Sequence, residues 1–502
     1  MDFERAKHWS GTAEDAVEAL AGMIGRLGLG VSVPTLRTVR LWRSKRLFSQ
    51  PPGTDFRGRQ LLEGVAIAIL LKRGWSVAAV GDLLPTLDDA QLTASIVSES
   101  KGDAGRWGAA AEAPTRGDPA RGRVPRGMAD DAIVLLAQGI LKQYNRILTE
   151  REIVRQDDGL PPELQAAMSR IGRLHIEEGQ PDRAACVHDI LDRARHPLDS
   201  EAWGLAAFRS PDFRFRQAVL IDPDLRVPTP DCSTIASVSG GFGEDNVIEN
   251  RLHAALRDSS ERLGVRRRHA AYTALRELLA RRSLIAEREL AQCLEDQGLT
   301  TLQEMVVESF YHPVPDAWLI DGRAHRCAHC GTLMRPHPDA SRHPDGRCPV
   351  RQCNGKRPAS VGERLNPEAT RLLVALPQIL TYWTGPGIDE LAIHDEARRL
   401  GLDSELYPES DMCDVAIGGR DVGIDAKSYA SPVTLALRLN RSIGGLIQYR
   451  RRIVAVGDEM VADDPDYLSV LRSSLDRSGD AATLEVKSLS SVLAMLRSLR
   501  DA

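Results

Sequence analysis

The sequence predicts a multidomain, α-rich α+β protein. Its 502 residues are more than one hydrophobic core usually organises, so several domains are expected. Apolar residues at helical spacing dominate the chain up to about residue 320, whereas short alternating apolar runs, typical of strands, appear after residue 366. A cluster of cysteines separates the two parts. We therefore expect an N-terminal helical module, a helical middle region, a cysteine-rich module and a C-terminal α/β domain.

The N-terminal module is predicted over residues 1–98. A first helix ends near Leu27, and Ser32 can cap a second helix. Pro34 can help to start that helix, because proline lacks an N–H that the first turn would leave unpaired. The second helix has apolar residues on one face and basic residues on the other. The basic residues of this helix and of the turn that follows it are Arg37, Arg40, Arg43 and Arg57.

Residues 13–84 resemble the winged helix-turn-helix of MerR-type regulators. In this comparison residues 56–59 are the wing, and residues 60–73 and 77–84 are the later helices. The resemblance implies that the four arginines contact DNA phosphates, and the local excess of basic residues is the expected electrostatic footprint. A solvated helical face, or a helix-turn-helix used for protein contacts, is the alternative.

A flexible linker is predicted at residues 99–128, because this stretch is rich in glycine, proline, alanine and arginine. From residue 129 to 320 the chain is expected to be helical, with an extended interruption at 213–232. Residues 132–151 carry apolar side chains at alternating four- and three-residue steps, as in a coiled coil. Packing within one chain and pairing of two copies in a homodimer are both open.

Four further helices are predicted in this region, at 247–263, 266–282, 286–297 and 302–311. The second of them begins and ends with runs of arginine, which make a basic helical surface. Such a surface is more often a solvated face than a track for nucleic acid.

The cysteine-rich module is predicted over residues 321–358 and contains Cys327, Cys330, Cys348 and Cys353. In a chain without a secretion signal, paired cysteines are more typical of metal ligation than of disulfides. Four thiolates close a tetrahedral Zn²⁺ site and leave no open position, so we expect a structural zinc ribbon. The nearby histidines, any of which can replace a cysteine as ligand, are His329, His337 and His343.

The C-terminal domain is predicted over residues 366–502, and residues 414–427 are its most informative stretch. Two alternating apolar runs flank Gly418 and Gly419, which is the pattern of a β-hairpin. Because strand side chains alternate, Asp425 and Lys427 lie on the same face. Together with Asp414, the carboxylates can hold Mg²⁺ or Mn²⁺, and the lysine can orient or deprotonate a water that attacks a phosphodiester.

The acid-x-Lys pattern alone is weak evidence, because Glu485 and Lys487 repeat it. We interpret that copy as a final strand with a surface lysine, since only one helix, at about 490–499, can follow it. The first copy has more context. The elements predicted around it are a helix from Gly387 to Gly401, a strand at 405–407, a helix at 434–449 and a strand at 453–456.

This α-β-β-β-α-β order resembles the core of the PD-(D/E)XK, or restriction-endonuclease-like, superfamily. The resemblance implies a metal-dependent nuclease, with four groups around the metal: Glu390, Asp414, Asp425 and Lys427. Cys413 stands where the motif has proline, and Asp425 is the shorter of the two permitted acids. The presence of all four groups favours catalysis, because a hairpin kept for structure alone gains nothing from clustered like charges.

Composition limits where the protein acts and how it meets nucleic acid. The formal net charge is −5, so any affinity for nucleic acid must come from local basic patches. The N-terminus lacks the basic start and apolar run of a secretion signal, and no apolar run is long enough to span a bilayer. A cytoplasmic protein with no membrane contact is expected.

The order of helical region, cysteine module and nuclease-like core is similar to that of proteins found beside a prokaryotic PIWI-RE protein and a DinG-type helicase in defence islands. The resemblance implies a DNA endonuclease of a defence system, with structural Zn²⁺, catalytic Mg²⁺ or Mn²⁺, and those two proteins as functional partners. Two alternatives belong to other classes. One is a DNA-binding regulator whose C-terminal fold has lost catalysis, and the other is a zinc-containing scaffold that docks partners.

Overall fold

The computed structural model divides into two compact units, residues 1–120 and 121–502. The residues that the structure describes are 9–28, 31, 33–44, 47–48, 55–72, 80, 83–100, 127–150, 159–238, 248–264, 266–354 and 360–500. Most of the predicted linker, residues 101–126, and most of the predicted helix at 77–84 therefore lie outside the described residues, as does Ser32.

The described residues of the first unit are mainly helical, with one short strand pair among them. Its elements are β1 (Ser10–Gly11), α1 (Ala13–Leu27), α2 (Leu36–Ser44), β2 (Phe56–Arg57), α3 (Gly58–Lys72) and α4 (Asp89–Ser100). Helix α1 ends at the predicted residue, Leu27, where Gly28 adopts a left-handed conformation (φ 60°). Its start is capped by Thr12, whose hydroxyl accepts the Asp15 N–H while the Asp15 carboxylate accepts the Thr12 N–H.

Two details of the N-terminal prediction differ in the structure. The hydroxyl of Thr35 accepts the backbone N–H of Thr38, so Thr35 caps α2 and the helix starts later than Ser32 would place it. The predicted wing at residues 56–59 is shorter, because Gly58 and Arg59 already belong to α3. Only Phe56 and Arg57 are extended, and they pair antiparallel with β1.

The second unit begins with a helical part, as predicted. Its helices before the cysteine module are α5 (Met128–Glu150), α6 (Pro162–Glu177), α7 (Val187–Arg193), α8 (Ala206–Arg209), α9 (Pro230–Ala236), α10 (Ile248–Glu261), α11 (Arg268–Arg281), α12 (Glu287–Asp296) and α13 (Gln303–Phe310). The predicted extended interruption at 213–232 ends earlier than expected, because Thr229 caps α9 through the backbone N–H of Cys232.

Helix α5 carries the predicted coiled-coil-like pattern, and the structure uses it inside the chain. Ile133, Ala137 and Ile140 are at most 3% exposed and belong to the main hydrophobic core of the second unit. Helix α6 packs so closely on α5 that a Cβ at Gly139 would lie 2.6 Å from the backbone nitrogen of Leu164. Packing within one chain accounts for these three positions, whereas Ile147, further along the same predicted seam, is 39% exposed.

The remaining elements follow in the predicted order around the hairpin. They are β5 (Ala324–Cys327), α14 (Arg351–Asn354), β6 (Val361–Leu365), β7 (Leu372–Ala375), α15 (Gly385–Arg399), β8 (Ser404–Leu406), β9 (Val415–Ile417), β10 (Val422–Lys427), α16 (Pro432–Arg441), β11 (Arg451–Val456), α17 (Asp458–Asp463), α18 (Tyr467–Ser474), β12 (Leu484–Ser488) and α19 (Leu489–Arg500). Helix α16 stops well before the predicted residue 449, and a separate 3₁₀ turn follows at Gly444–Gln448.

The sheet that positions the candidate site has five strands in the order β12-β11-β10-β9-β8. Strands β10, β11 and β12 run parallel, while β9 pairs antiparallel with both β10 and β8. Strand β10 is therefore central, and its residues from Val422 to Ala426 are buried apart from the side chain of Asp425, which is only partly exposed.

The structure contains a second sheet that the helical interpretation of residues 129–320 did not include. Strands β3 (Leu284–Ala286) and β4 (Tyr311–Pro313) lie within that region, and both pair antiparallel with β7. Because β7 lies about 60 residues or more further along the chain, this pairing is non-local and local periodicity could not reveal it.

None of the described helices is long and apolar enough to cross a bilayer.

Candidate active site and metal centre

A cavity of about 230 Å³ lies in the second unit at the start of β9 and the end of β10. Its wall includes all four residues that the sequence predicts as catalytic, namely Glu390, Asp414, Asp425 and Lys427. Helices of the middle region form one part of the remaining wall. The residues that they contribute are Pro230 of α9, Glu249, His253 and Arg257 of α10, and Arg276 of α11.

The hairpin brings the two aspartates together through backbone geometry. Gly418 and Gly419 have φ angles of 62° and 65°, which let the chain reverse in a tight turn. The pairing of Ile424 with Val415 then sets Asp414 beside Asp425. The Ala426 N–H donates to Asp414 Oδ2 at 2.7 Å, and the Asp414 N–H donates to Asp425 Oδ1 at 3.2 Å. Both carboxylates are thus fixed by main-chain donors.

Lys427 contacts both aspartates with its ammonium group. Its Nζ lies 3.3 Å from Asp425 Oδ2 and 3.6 Å from Asp414 Oδ2. Burial alone would lower the pKa of Lys427, but the two carboxylates outweigh burial and raise the pKa. Burial also raises the pKa of Asp414 well above its usual range; Lys427 opposes this shift, while Glu390 and Asp425 add to it. The site is therefore short of positive charge.

The donor set of this pair fits a hard divalent cation. The carboxylates of Asp414 and Asp425 both contact the ammonium group of Lys427, so their oxygens lie near one another. Mg²⁺ is commonly bound by one or two carboxylates together with water and substrate phosphate. A cation there would favour the ionised form of Asp414 for the same reason that Lys427 does. Asp414 and Asp425 are thus the residues that could hold Mg²⁺ or Mn²⁺.

Glu390 lies deeper in the wall and has partners of its own. It is 2% exposed, and its Oε2 accepts a hydrogen bond from the Tyr407 hydroxyl at 2.5 Å and faces Arg276 Nη2 at 3.4 Å. Burial raises the pKa of Glu390, and Arg276 and Tyr407 oppose that shift. Within the described residues, Glu390 does not join Asp414 and Asp425 as a group of three metal-ligand atoms within 4.8 Å of one another.

A run of left-handed residues borders the cavity. Tyr407, Glu409, Ser410 and Asp411 all have φ between 48° and 81°, although none is glycine. Such conformations are costly for residues with a Cβ and are concentrated at functional sites. Here the run carries Tyr407 to Glu390 and brings Asp411 to α10 and α11, where Asp411 Oδ2 accepts from the Tyr272 hydroxyl at 3.0 Å.

His253 and Asp411 are cavity residues that sequence reasoning missed. The Nδ1 atom of His253 is 3.2 Å from Asp411 Oδ2 and 2.8 Å from the Tyr272 hydroxyl. More than 150 residues separate the histidine from the aspartate, and neither lies in a recognisable motif. Only the fold could reveal that α10 faces the hairpin.

The second acid-x-Lys pair has the structural role that was predicted for it. Glu485 and Lys487 lie on β12, where Glu485 forms two hydrogen bonds with Arg451 at 2.9 Å and contacts Lys487 at 3.3 Å. Neither residue lines the cavity that contains Asp414 and Asp425.

The four cysteines converge on one point. Cys327 Sγ lies 3.6 Å from Cys353 Sγ, and Cys330 Sγ lies 3.5 Å from Cys348 Sγ. In the described part of the chain they are the one group of three or more such side chains whose ligand atoms all lie within 4.8 Å of one another. Sulfurs around tetrahedral Zn²⁺, with bonds of about 2.3 Å, are about 3.8 Å apart. The observed spacing fits that geometry and is far too long for a disulfide of about 2.05 Å.

Local structure explains how the cysteines meet. Cys327 ends β5, and the Gly331 N–H returns to the Cys327 carbonyl at 3.0 Å, which closes a tight turn around Cys330. Cys353 lies on the short helix α14. The three nearby histidines, His329, His337 and His343, are not members of the cluster. Strand β6, which pairs with β5, lies beyond the predicted module boundary at residue 358.

Helix α14 also connects the cysteine cluster to the cavity. Gln352 precedes Cys353, and its Nε2 donates to the hydroxyl of Ser428 at 2.9 Å, directly after Lys427. Gly385 at the start of α15 lies so close that a Cβ there would be 2.4 Å from Gln352 Oε1. The same side chain therefore touches the end of β10 and the helix that carries Glu390.

The predicted DNA-binding arginines of the first unit have mixed environments. Arg40 is 64% exposed and pairs with Glu14 at 2.7 Å. The guanidinium of Arg43 stacks over the ring of Phe56 at 5.0 Å, and Arg57 is exposed on β2. The side chain of Arg37 lies outside the described residues. These positions do not by themselves establish a winged helix-turn-helix.

Comparison with known proteins bears on the C-terminal part of the chain. Residues 387–498 match the family model pPIWI_RE_REase, which is described as a restriction endonuclease (REase) associating with pPIWI_RE. The matched segment contains Glu390, Asp414, Asp425 and Lys427, and it indicates a nuclease-like role in a pPIWI_RE system. No curated protein and no solved structure matched the chain.

Proposed function

We propose that this protein is a Mg²⁺- or Mn²⁺-dependent DNA endonuclease of a prokaryotic defence system. The observation that carries the proposal is the contact of Lys427 with both Asp414 and Asp425 in one cavity. The match of residues 387–498 to a restriction endonuclease family supports it. A partly buried lysine shared by two acids in the wall of a cavity is an arrangement suited to hydrolysis of a phosphodiester.

Each residue has a distinct role in the proposed reaction. Asp414 and Asp425 would hold the cation, and the carbonyl of Ala426 would supply a third oxygen. When bound, the cation lowers the pKa of a coordinated water and polarises the phosphate. Lys427 orients the attacking water and offsets the charge of the two acids. Glu390 lies behind this pair with Tyr407 and Arg276, a position that favours contact through a bridging water or a second cation over direct sharing of one ion.

The cysteine cluster is proposed to hold a structural Zn²⁺. An all-sulfur site has no open position for water, so this metal would not take part in hydrolysis. The description of the matched family supports a PIWI-RE protein as a functional partner. A DinG-type helicase as a second partner rests on the resemblance in domain order, and a homodimer has no support from α5, whose first half is buried within one chain.

Purified full-length protein should cleave DNA only when a divalent cation is present. The test is incubation with supercoiled and with linear DNA in Mg²⁺, in Mn²⁺ or in EDTA, with products resolved on agarose gels. Because EDTA can also extract Zn²⁺, zinc content should be measured in that arm and activity should return when Mg²⁺ is added back. Cleavage that persists without divalent cation would contradict the proposed mechanism, and no cleavage under any condition would favour an inactive regulator or scaffold.

The first unit is proposed to bind duplex DNA through phosphates. Replacement of Arg57 or Arg40 by alanine should weaken binding and lower the slope of log affinity against log salt by about one per lost phosphate contact. Arg26→Ala is the matched control, because Arg26 is exposed on α1 and hydrogen-bonds to the Gly22 carbonyl of its own helix. Fluorescence anisotropy with a labelled duplex at several salt concentrations measures the slope.

Deletion of residues 1–98 should weaken DNA association but leave metal-dependent cleavage at high DNA concentration. The proposal would be wrong if the first unit bound DNA without dependence on salt, or did not bind DNA at all. Either result would indicate that this unit docks a protein or forms a dimer.

A further inference from the structure

The cavity that contains the proposed nuclease site has a second wall made by residues outside the matched segment. Helices α10 and α11 supply Glu249, His253, Arg257 and Arg276, while the segment 387–498 supplies the carboxylates and Lys427. A phosphodiester that enters this cavity meets several carboxylates, so a cationic side chain within the wall would strongly favour its binding.

Arg276 is buried in that wall and contacts two aromatic rings. Its side chain is 3% exposed, and its guanidinium carbon lies over the ring of Trp383 at 5.0 Å and over that of Tyr407 at 4.8 Å. Contact with two aromatic rings restrains the guanidinium within the wall, but it occupies none of the N–H groups, which remain able to pair with an anion.

The pairing of Arg276 with Glu390 leaves most of the hydrogen-bond donors of the guanidinium without a partner among the described residues. Nη2 contacts Glu390 Oε2 at 3.4 Å, which is longer than the 2.7–2.9 Å or so of an ordinary charge-assisted hydrogen bond. The same carboxylate oxygen already accepts from Tyr407 at 2.5 Å. The Nε and Nη1 atoms are buried and have no hydrogen-bond partner among the described residues. A guanidinium that served only to neutralise Glu390 would be expected to pair bidentately.

We propose that Arg276 is a phosphate-binding residue of the nuclease cavity, contributed by the helical region and acting opposite Asp414 and Asp425. This proposal rests on the proposed nuclease function and names a residue that binds its substrate. Two parallel N–H groups of a guanidinium match two oxygens of a phosphodiester. The cavity of about 230 Å³ is several times the roughly 30 Å³ that one water occupies in the liquid, so it admits one phosphodiester group with a few waters.

Binding would require the guanidinium to leave its long contact with Glu390 and to turn toward the cavity. That contact is weak in geometry, and Glu390 keeps its short hydrogen bond from Tyr407 when Arg276 moves. Arg257 and Arg438, which also line the cavity, can supplement the charge. Within the described residues, neither of them has the contacts with two aromatic rings that restrain Arg276.

The test uses the dinucleoside monophosphate dTpT, which carries one phosphodiester. Full-length wild-type protein, Arg276→Met and Arg276→Lys are titrated by ³¹P NMR without added divalent cation, so that no cleavage occurs. Salt at about 0.15 M screens binding at exposed surface arginines. Arg281→Met is the matched control, because Arg281 lies on the same helix and is fully engaged by Glu277 and Asp395.

We expect Arg276→Met to weaken dTpT binding at least about tenfold, since hydrogen bonds to charged groups are involved. The affinity of Arg276→Lys for dTpT should be intermediate, because lysine keeps the positive charge but lacks the paired N–H donors of a guanidinium. Arg281→Met should bind as the wild type does. Unchanged binding by Arg276→Met, or an equal loss in Arg281→Met, would overturn the proposal, as would the absence of dTpT binding by the wild type.

One further variant guards against loss of folding. Arg276→Met leaves Glu390 buried without its cation, whereas the double variant Arg276→Met/Glu390→Gln removes both charges together. If Arg276→Met unfolds, the double variant is titrated in its place, and it should bind dTpT at least about tenfold more weakly than the wild type. The nuclease assignment has its own test in metal-dependent cleavage. If cleavage were absent while phosphate binding still depended on Arg276, the binding site would stand and the nuclease function would not.

Discussion

Asp425→Ala is expected to abolish metal-dependent DNA cleavage while the protein stays folded. Loss of an outer residue that only orients a metal ligand typically costs about 10–100-fold, so loss of a ligand itself should cost more than about a hundredfold. The fold should tolerate the change. The lost hydrogen bond from the Asp414 N–H is worth about 0.5–1.5 kcal/mol, and relief of the repulsion between Asp414 and Asp425 offsets it.

The measurement is the initial rate of supercoiled DNA relaxation and linearisation in Mg²⁺, with thermal unfolding of each variant in parallel. Asp425→Asn should behave in the same way, because it keeps the size of the side chain but not its charge. Glu485→Ala is the matched control, since it removes the acid of the other acid-x-Lys pair at a position outside the cavity. Full activity in Asp425→Ala would remove this site from the mechanism.

The parts of this site that the sequence could predict are those encoded by neighbouring residues. Alternation of apolar residues around Gly418 and Gly419 predicts the hairpin, and the structure contains it as β9 and β10. The same alternation predicts that Asp425 and Lys427 share a face, and both contact one another in the cavity. These inferences need only strand geometry and a turn of two or three residues.

The parts that could not be predicted depend on residues far apart in the chain. The wall formed by α10 and α11 joins the segment just before the hairpin through contacts such as that of Asp411 with Tyr272, about 140 residues away. Strand β7 pairs with β3 and β4 in a sheet whose strands are only three or four residues long. Such short strands have no visible periodicity, and their pairing partners decide whether they form.

Glu390 illustrates both cases. Its place on the helix before the strands follows from local pattern and from the resemblance to restriction-endonuclease-like proteins. Its partners could not be predicted in this way. Arg276 belongs to the helical region, and Tyr407 reaches Glu390 through a left-handed backbone conformation that a tyrosine does not predict. The division of the cavity between two regions of the sequence was therefore invisible until the fold was known.

The cysteine cluster was the most predictable part of the chain, because two pairs of closely spaced cysteines are a pattern typical of metal ligands. What the sequence did not indicate is its connection to the cavity that contains Asp414 and Asp425. Gln352, next to Cys353, hydrogen-bonds to Ser428 next to Lys427. This hydrogen bond links α14 to the residue that follows β10.

Cys327→Ser is expected to release Zn²⁺, to lower the melting temperature and to reduce cleavage. Apparent zinc binding in finger peptides is worth about 10–16 kcal/mol, so even a fraction of it is large beside the 5–15 kcal/mol or so that stabilises a domain. Loss of the metal frees Cys353, and α14 then no longer holds Gln352 against Ser428. Zinc content by elemental analysis, thermal unfolding and the rate of DNA cleavage measure the three effects.

Cys186→Ser is the matched control for this change. Cys186 is a free cysteine outside the cluster and occupies the N-cap position of α7 without a side-chain hydrogen bond. Serine is favoured at helix N-caps, so this variant should keep its zinc and be as stable as the wild type or slightly more so. Purified wild-type protein without zinc, or with its cluster cysteines joined in disulfides, would contradict the metal site. Zinc loss with full cleavage activity would instead separate the cysteine module from the nuclease cavity, because the contact of Gln352 with Ser428 would then not matter for the reaction.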